Sequence, residues 1–390
     1  MAEKKGQHFV PKFHLRNFNP RTDGQEVKSI AAFNLKRKRH ILLASIAGQC
    51  QRDYIYSKDL SIEDSIKVIE DRAALVISNI IKTSIRPKIG SDEYFHLLNF
   101  LTLQKSRTVA AGKMLEEMYT MMARFALKMQ EPRLKKEIGE EKYEEMAKKG
   151  LGIDKFRMKI KHPELESIRN GQNEAPVLAD LCMKVLVNKT DVEFITSDSP
   201  VVLFNQWCQE WQLGGNEGYA SSGLQIFFPI SNHHTIVFYD NMVYVAKKGD
   251  QAIDITSLDD IQAINSLQLL SADENLYYSG DLRTKEMIDK LPLHLHKPPE
   301  EAFTYQRSVA VDMKPGKRAE LLVTNSRPND LRLDLSFMKI QKPMKKIPLD
   351  KRARQYRKPA FVAARLIDGH LNHRELPSDS PRRFIGVEYL

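Results

Sequence analysis

The chain has 390 residues and a mass of 44.9 kDa, with 42% hydrophobic and 28% charged residues. This is the composition of a globular protein larger than one average domain and long enough to bury a sizeable core without staples. Sixty Lys and Arg against 50 Asp and Glu give a net charge of +10, and three cysteines exclude a disulfide framework or a four-cysteine zinc site.

The start, MAEKKGQHF, is polar and basic with no apolar h-region, and no window of about 20 residues is continuously apolar. The expectation is a cytoplasmic chain with no membrane span. Residues 7–20, QHFVPKFHLRNFNP, predict a short helix opened by Pro11 and closed by Pro20. Residues 28–35 and 40–45 predict a hairpin around the basic turn Lys36-Arg37-Lys38-Arg39.

Ile62, Ile66, Ile69, Ala73, Val76, Ile77 and Ile80 fall on one helical face, so 61–82 reads as a helix with Ser61 as N-cap and Asp64 in a partial capping box. Residues 92–130 form a second helical region. Its Met stripe, Met114 to Met122, reads as core. Residues 132–150 are charged and weakly periodic, as in an exposed helical arm or an insertion. The run 175–187 reads as a buried helix carrying Leu178, Leu181, Cys182, Val185 and Leu186.

The period then changes. VEFITSD, VVLFN, LQIFFPI, TIVFYD and VYVA are short strand-like runs between 192 and 246, and suggest a mainly antiparallel sheet. A helix follows over 257–271, then a last core strand at Asn275–Ser279. Beyond about 290 the pattern weakens and charge rises. The expected fold class is α+β, with a helical region packed on a mainly antiparallel sheet. The expected organisation is a core over 1–290, interrupted by a charged helical insertion at about 131–172, and a basic extension over 291–390. Residues 331–390 hold 14 Lys and Arg against 6 Asp and Glu. Within them, Lys345, Lys346, Arg352, Arg354, Arg357 and Lys358 are candidates for contacting phosphates, with Tyr356 and Phe361 near them. A solvated basic tail with no specific partner is the alternative.

The sequence contains no GxxxxGK[ST], HExxH, CxxC or GxSxG motif. Candidate chemistry therefore rests on single residues. His8 could exchange a proton or bind a metal, or it could hold the N-terminal segment by hydrogen bonds. Glu63 and Glu70 each follow an apolar position on one helix and flank its stripe. Two such carboxylates could hold a divalent cation or orient a base, or form boundary salt bridges. Gln104 and Arg107 lie one turn apart. The guanidinium suits a phosphate, or a buried pair with Glu63 or Glu70. Asp198, in Thr196-Ser197-Asp198-Ser199-Pro200, is either a turn residue or an acid at a strand end. The pairs His233-His234 and His294/His296 read as non-ligating.

These elements resemble the DUF4238 family, whose members have no agreed reaction. The resemblance is carried by QHFVPKFHLRNF with its HxxP as His8-Phe9-Val10-Pro11, by FHLLNFLTLQKSRT with Gln104 and Arg107, by FITSDSPVVLFN, and by IFFPIS with the later Asn265 helix. It spans roughly 7–280. It implies that polar residues far apart in sequence gather in one place. The leading functional expectation is a nuclease or other phosphodiesterase, in a bacterial or phage-related conflict system. His8, Glu63, Glu70 and Asp198 would be catalytic, Gln104 and Arg107 would grip phosphate, and Mg2+ or Mn2+ is the cofactor considered. A non-catalytic nucleic-acid-binding or adaptor protein is the second expectation, and a hydrolase or sensor of a small anionic ligand the third.

Overall fold

The computed structural model describes residues 6–19, 26–58, 60–171, 174–209, 217–247, 252–298, 303–314, 317–326, 330–341 and 357–359. The chain opens with β1 (Gly6–His8) and α1 (Lys12–Arg16), which begins at Pro11 as expected. The hairpin β2 (Ser29–Asn34) and β3 (Arg39–Ser45) follows, then β4 (Gln51–Asp53). Four helices come next: α2 (Leu60–Thr83), α3 (Asp92–Ser106), α4 (Val109–Ile138) and α5 (Glu140–Met146). After α6 (Pro163–Gly171) the chain enters β5 (Cys182–Asn188), β6 (Thr196–Ser197), β7 (Val202–Phe204), β8 (Gln225–Pro229), β9 (His234–Tyr239), β10 (Tyr244–Ala246) and β11 (Ala252–Ile255). The helix α7 (Leu258–Ser271), β12 (Asn275–Tyr278) and α8 (Leu282–Asp289) precede β13 (Phe303–Lys314), β14 (Lys317–Ser326) and β15 (Met338–Ile340).

The α+β expectation holds. A five-stranded sheet has the order β11-β5-β9-β8-β7 and is antiparallel except where β11 runs parallel to β5. One face carries Met183, Val185, Ile226, Phe228, Ile236 and Phe238 and meets the apolar stripes of α2 and α3. The other face carries Leu186, Phe227 and Val237 and meets Ile261, Ile264 and Leu267 of α7. Each fully buried aliphatic side chain here contributes about 1.5–3 kcal/mol. A second, antiparallel sheet has the order β3-β2-β12-β6.

Five expectations change. The Met stripe of α4 is core only in part, since Met121 is buried and Met122 is 38% exposed. Residues 175–187 are not a helix: a 3-10 turn, Ala175–Leu178, leads into β5. Both faces of β5 are covered, so its apolar run lacks the alternation that marks a half-buried strand. Ser61 does not cap α2, which already includes Leu60. The region 92–130 divides at Arg107-Thr108, where the Thr108 side chain accepts from Ala111 N at 3.2 Å and starts a new helix. Beyond 290 the long hairpin β13–β14 follows, and Leu331, Leu333, Leu335, Phe337 and Met338 pack into the α7 side of the core. Part of the stretch expected as a basic extension is thus interior.

Candidate functional site

The N-terminal element is fixed by polar side chains buried for that purpose. β1 pairs antiparallel with β4, matching His8 to Gln51. Gln7 is fully buried, donating to Ser57 O at 3.0 Å and accepting from Tyr56 N at 3.0 Å. Tyr56 Oη donates to His8 O at 3.2 Å, and Phe9 N donates to Cys50 O at 2.9 Å. Gln104 reaches back from α3 to donate to Phe9 O at 2.9 Å. The HxxP segment is therefore tied to α3 by its main chain.

Arg107 sits where α3 stops, and its exposure is 0%. Its Nε and Nη2 donate to Gln104 Oε1 at 2.9 and 2.5 Å, and Nη1 donates to Glu70 Oε1 at 2.5 Å. The Phe100 ring lies 5.8 Å from the guanidinium. Gln104 thus serves both neighbours, one through its amide and one through its oxygen. Of the two pairings open in sequence, the structure makes the buried pair with Glu70. A guanidinium so enclosed does not face solvent, where a phosphate would have to arrive.

His8 and Glu63 keep partial exposure beside this network. The His8 Nε2 lies 3.2 Å from Ala47 O. Burial, then the nearby Lys12 charge, lowers its pKa, while the Ala47 carbonyl and the carboxylates of Glu70 and Glu63 pull it back up. The resulting preference is for neutral imidazole. Among the described residues, no group of three or more His, Cys, Asp or Glu side chains is placed to hold a metal ion. The geometry thus gives no support to a divalent cation held by His8, Glu63 and Glu70.

Asp198 is a buried turn anchor. Its carboxylate accepts from the backbone N–H of Asp273 (2.7 Å), Glu274 (2.7 Å) and Asn275 (2.9 Å), which joins the end of β6 to the start of β12. Burial pushes its pKa up to about 7, against the three N–H donors that favour the charged form. Its neighbours are equally committed. Ser197 Oγ donates to Gln268 Oε1 at 3.0 Å, and Gln268 Nε2 donates to Pro200 O at 3.0 Å. Asn265 bridges Ile195 N and Glu193 O. The role of Gln268 has no signature in the sequence, because it lies on a helix whose pattern reads only as apolar.

Gln104 bonds to Phe9 O, His14 to Thr196 and Asn265 to Ile195 N, so the signature elements do gather around one region. Cys50 Sγ donates to Tyr277 Oη at 3.4 Å. Burial, then Asp198, raises the Cys50 thiol well above its usual pKa, which makes it an unreactive core residue. His14, on the short helix α1, lies close by. Its ring stacks on Phe228 at 5.1 Å and 7°, and Nε2 meets Thr196 Oγ1 at 2.9 Å. Burial, then Arg107, drives its pKa down to about 3, so it is neutral.

The basic segment divides. Arg357, expected to contact phosphate, is buried. Its Nε and Nη2 pair with the two Asp180 oxygens at 2.9 and 3.1 Å, and it also donates to Val177 O and Ser221 O. Together with the bond from Arg357 N to Ala220 O, it clamps the 177–180 turn to the 220–221 loop. Burial beside a carboxylate removes it from the phosphate-contacting set. Lys358 is exposed, and Lys345, Lys346, Arg352 and Arg354 lie outside the described residues.

The four segments first read as signatures are thus one bonded unit, and the comparison with family models covers them all. A model described as a protein of unknown function (DUF4238) matches residues 6–281. The chain belongs to the DUF4238 family. No curated protein and no solved structure matches it. In this DUF4238 chain the match ends before β13, β14, β15 and Arg357, so the clamp on Asp180 comes from outside the matched region. Among the described residues no helix is long and apolar enough to cross a membrane.

Proposed function

We propose that this DUF4238 protein is a non-catalytic nucleic-acid-binding adaptor acting in the cytoplasm. The observation that carries the non-catalytic half is the commitment of Arg107 and Asp198. One is engaged by Gln104 and Glu70 at all three of its nitrogens, the other by three backbone N–H groups. Groups engaged this way support the fold and are poor candidates for gripping a phosphate that comes and goes. The same burial argues against Arg107 as the receptor for a small anionic ligand.

The nucleic-acid half rests on charge. The net charge is +10, and residues 339–358 contain Lys339, Lys342, Lys345, Lys346, Lys351, Arg352, Arg354, Arg357 and Lys358 against Asp350 alone. With Arg357 withdrawn into the clamp, the remainder still suits sequence-independent binding of phosphates. A nuclease, in a bacterial or phage conflict, is the second reading. It is favoured by one observation: His8 is partly exposed and inclined to the neutral form, with its Nε2 at 3.2 Å from Ala47 O.

The deciding experiment mixes the protein with single- and double-stranded DNA and RNA in Mg2+, Mn2+ or EDTA, and measures binding against salt. The expected result is affinity that falls steeply with salt and no cleavage. Reversing Lys345, Lys346, Arg352 and Arg354 to Glu should flatten the salt dependence. Cleavage that disappears in His8→Ala would replace the adaptor with the nuclease, and absence of both binding and cleavage would remove nucleic acid altogether.

A further inference from the structure

The outer edge of β3 has a composition that the core does not explain. β3 is the terminal strand of its sheet, paired on one side by β2. Three consecutive large apolar residues on it face solvent: Ile41 is 41% exposed, Leu42 57% and Leu43 82%. The pairing with β2 is irregular here, because the register passes from Ile30–Ala44 to Ala32–Ile41 and leaves Leu42 and Leu43 opposite Ala31. That irregularity turns both leucines out of the sheet. Beside them, Lys36, Arg37, Lys38 and Arg39 are all exposed, and none makes an ion pair among the described residues. Residues 35–46 contain no acidic side chain.

Solvent-facing edges are ordinarily guarded by charge, proline or a bulge, because their free N–H and C=O groups template further strands. β3 has the bulge and the adjacent charges, yet it presents aliphatic surface where a guarded edge presents polar residues. We propose that the β3 edge docks an extended, acidic and aliphatic segment of a partner protein by strand addition. The main chain of that segment would bond along Arg39–Ser45, its aliphatic side chains would cover Leu42 and Leu43, and its carboxylates would neutralise Lys36–Arg39.

Charge complementarity selects this occupant. A second copy of the chain would bring four further cations and, in this strand and turn, no carboxylate. A nucleic acid would satisfy the cations, but it has no main chain of strand spacing, and Ile41–Leu43 supply no aromatic face for its bases. The docking site extends the adaptor reading by giving it a protein-binding surface distinct from the charged 339–358 segment. It does not depend on nucleic-acid binding.

The test uses the full chain and three fluorescent probes: a peptide alternating Asp and Glu with Val and Ile, the same peptide with Lys at the acidic positions, and a single-stranded DNA oligonucleotide. Binding is read by anisotropy, and protection of residues 39–45 by hydrogen exchange. The acidic peptide should bind saturably and slow exchange in β3, and the Lys peptide should not bind. Leu42→Glu/Leu43→Glu and Lys36→Glu/Arg37→Glu should each weaken the acidic peptide about tenfold or more without changing the melting temperature. These residues are exposed, so the variants should fold. Acidic-peptide binding unaffected by either variant, or none at roughly 1 mM peptide, overturns the proposal. So does oligonucleotide binding lost on reversing the turn, which makes the hairpin a nucleic-acid contact, or a dimer dispersed by the leucine variant, which makes it a self-interface. Failure of the nucleic-acid reading shows separately, as absence of oligonucleotide binding by the unaltered chain.

Discussion

Arg107 Nη1 and Glu70 Oε1 meet at 2.5 Å, joining the break between α3 and α4 to the middle of α2. The arginine is fully buried, while 22% of the Glu70 side chain remains exposed. Removing the cation leaves Gln104 Oε1 and Glu70 facing a cavity, whereas removing the Glu70 charge leaves a group that can still accept a hydrogen bond. Arg107→Ala should therefore cost about 3 kcal/mol, and Glu70→Gln about 1 kcal/mol. Urea denaturation monitored by circular dichroism measures both. Equal, negligible losses would show that the network does not support the fold.

Asp198 holds three N–H groups that have no other acceptor among the described residues. Asp198→Ala should destabilise by about 3 kcal/mol, and Asp198→Asn by less, because one amide oxygen still accepts. Binding of nucleic acid per folded molecule should stay unchanged in both. A fully stable Asp198→Ala that has lost a measurable catalytic activity would return Asp198 to a catalytic role.

His14 makes stability sensitive to acid. Its folded pKa of about 3 lies below the ordinary 6.5, with burial the first cause and Arg107 the second. A depressed pKa means the unfolded chain takes up the proton first. The contribution is therefore fully present above pH 6.5 and is lost as pH falls toward 3, with a slope approaching about 1.4 kcal/mol per pH unit. His14→Phe keeps a ring against Phe228 and cannot titrate. Its stability should fall less steeply than wild type between pH 6.5 and 4, where the same carboxylates titrate in both proteins. Parallel curves would contradict a buried neutral His14.

Arg357→Lys should cost about 2 kcal/mol, because an ammonium cannot span both Asp180 oxygens, Val177 O and Ser221 O. Hydrogen exchange should quicken locally in 177–181 and 219–224, with the salt dependence of nucleic-acid binding unchanged. A flatter salt dependence would mean that Arg357 does reach phosphate.

Several elements were legible because their patterns have a single local explanation. The α2 stripe from Ile66 to Ile80 is helical spacing, and the basic turn between β2 and β3 has strand formers on both sides. β5 was not legible, since a strand covered on both faces shows the same unbroken apolar run as a buried helix. The Leu331–Met338 segment was missed for a related reason: its apolar residues are spaced among charges, and only packing against the cluster formed by α7 and the strands β8, β9 and β10 makes them interior.

The sequence by itself determined the fold class, the membership in DUF4238 and some of the polar residues that matter, Gln104, Arg107 and Asp198 among them. Local spacing and residue type are written along one chain, and that is all such readings require. The tertiary structure decided what those residues do. Whether Arg107, Asp198 and Arg357 meet a ligand or one another depends on partners 37, 75 and 177 positions away. Their burial removes the water that would otherwise make them available. A charge read along a sequence is a candidate for chemistry, and enclosure with a matched partner turns it into support for the fold.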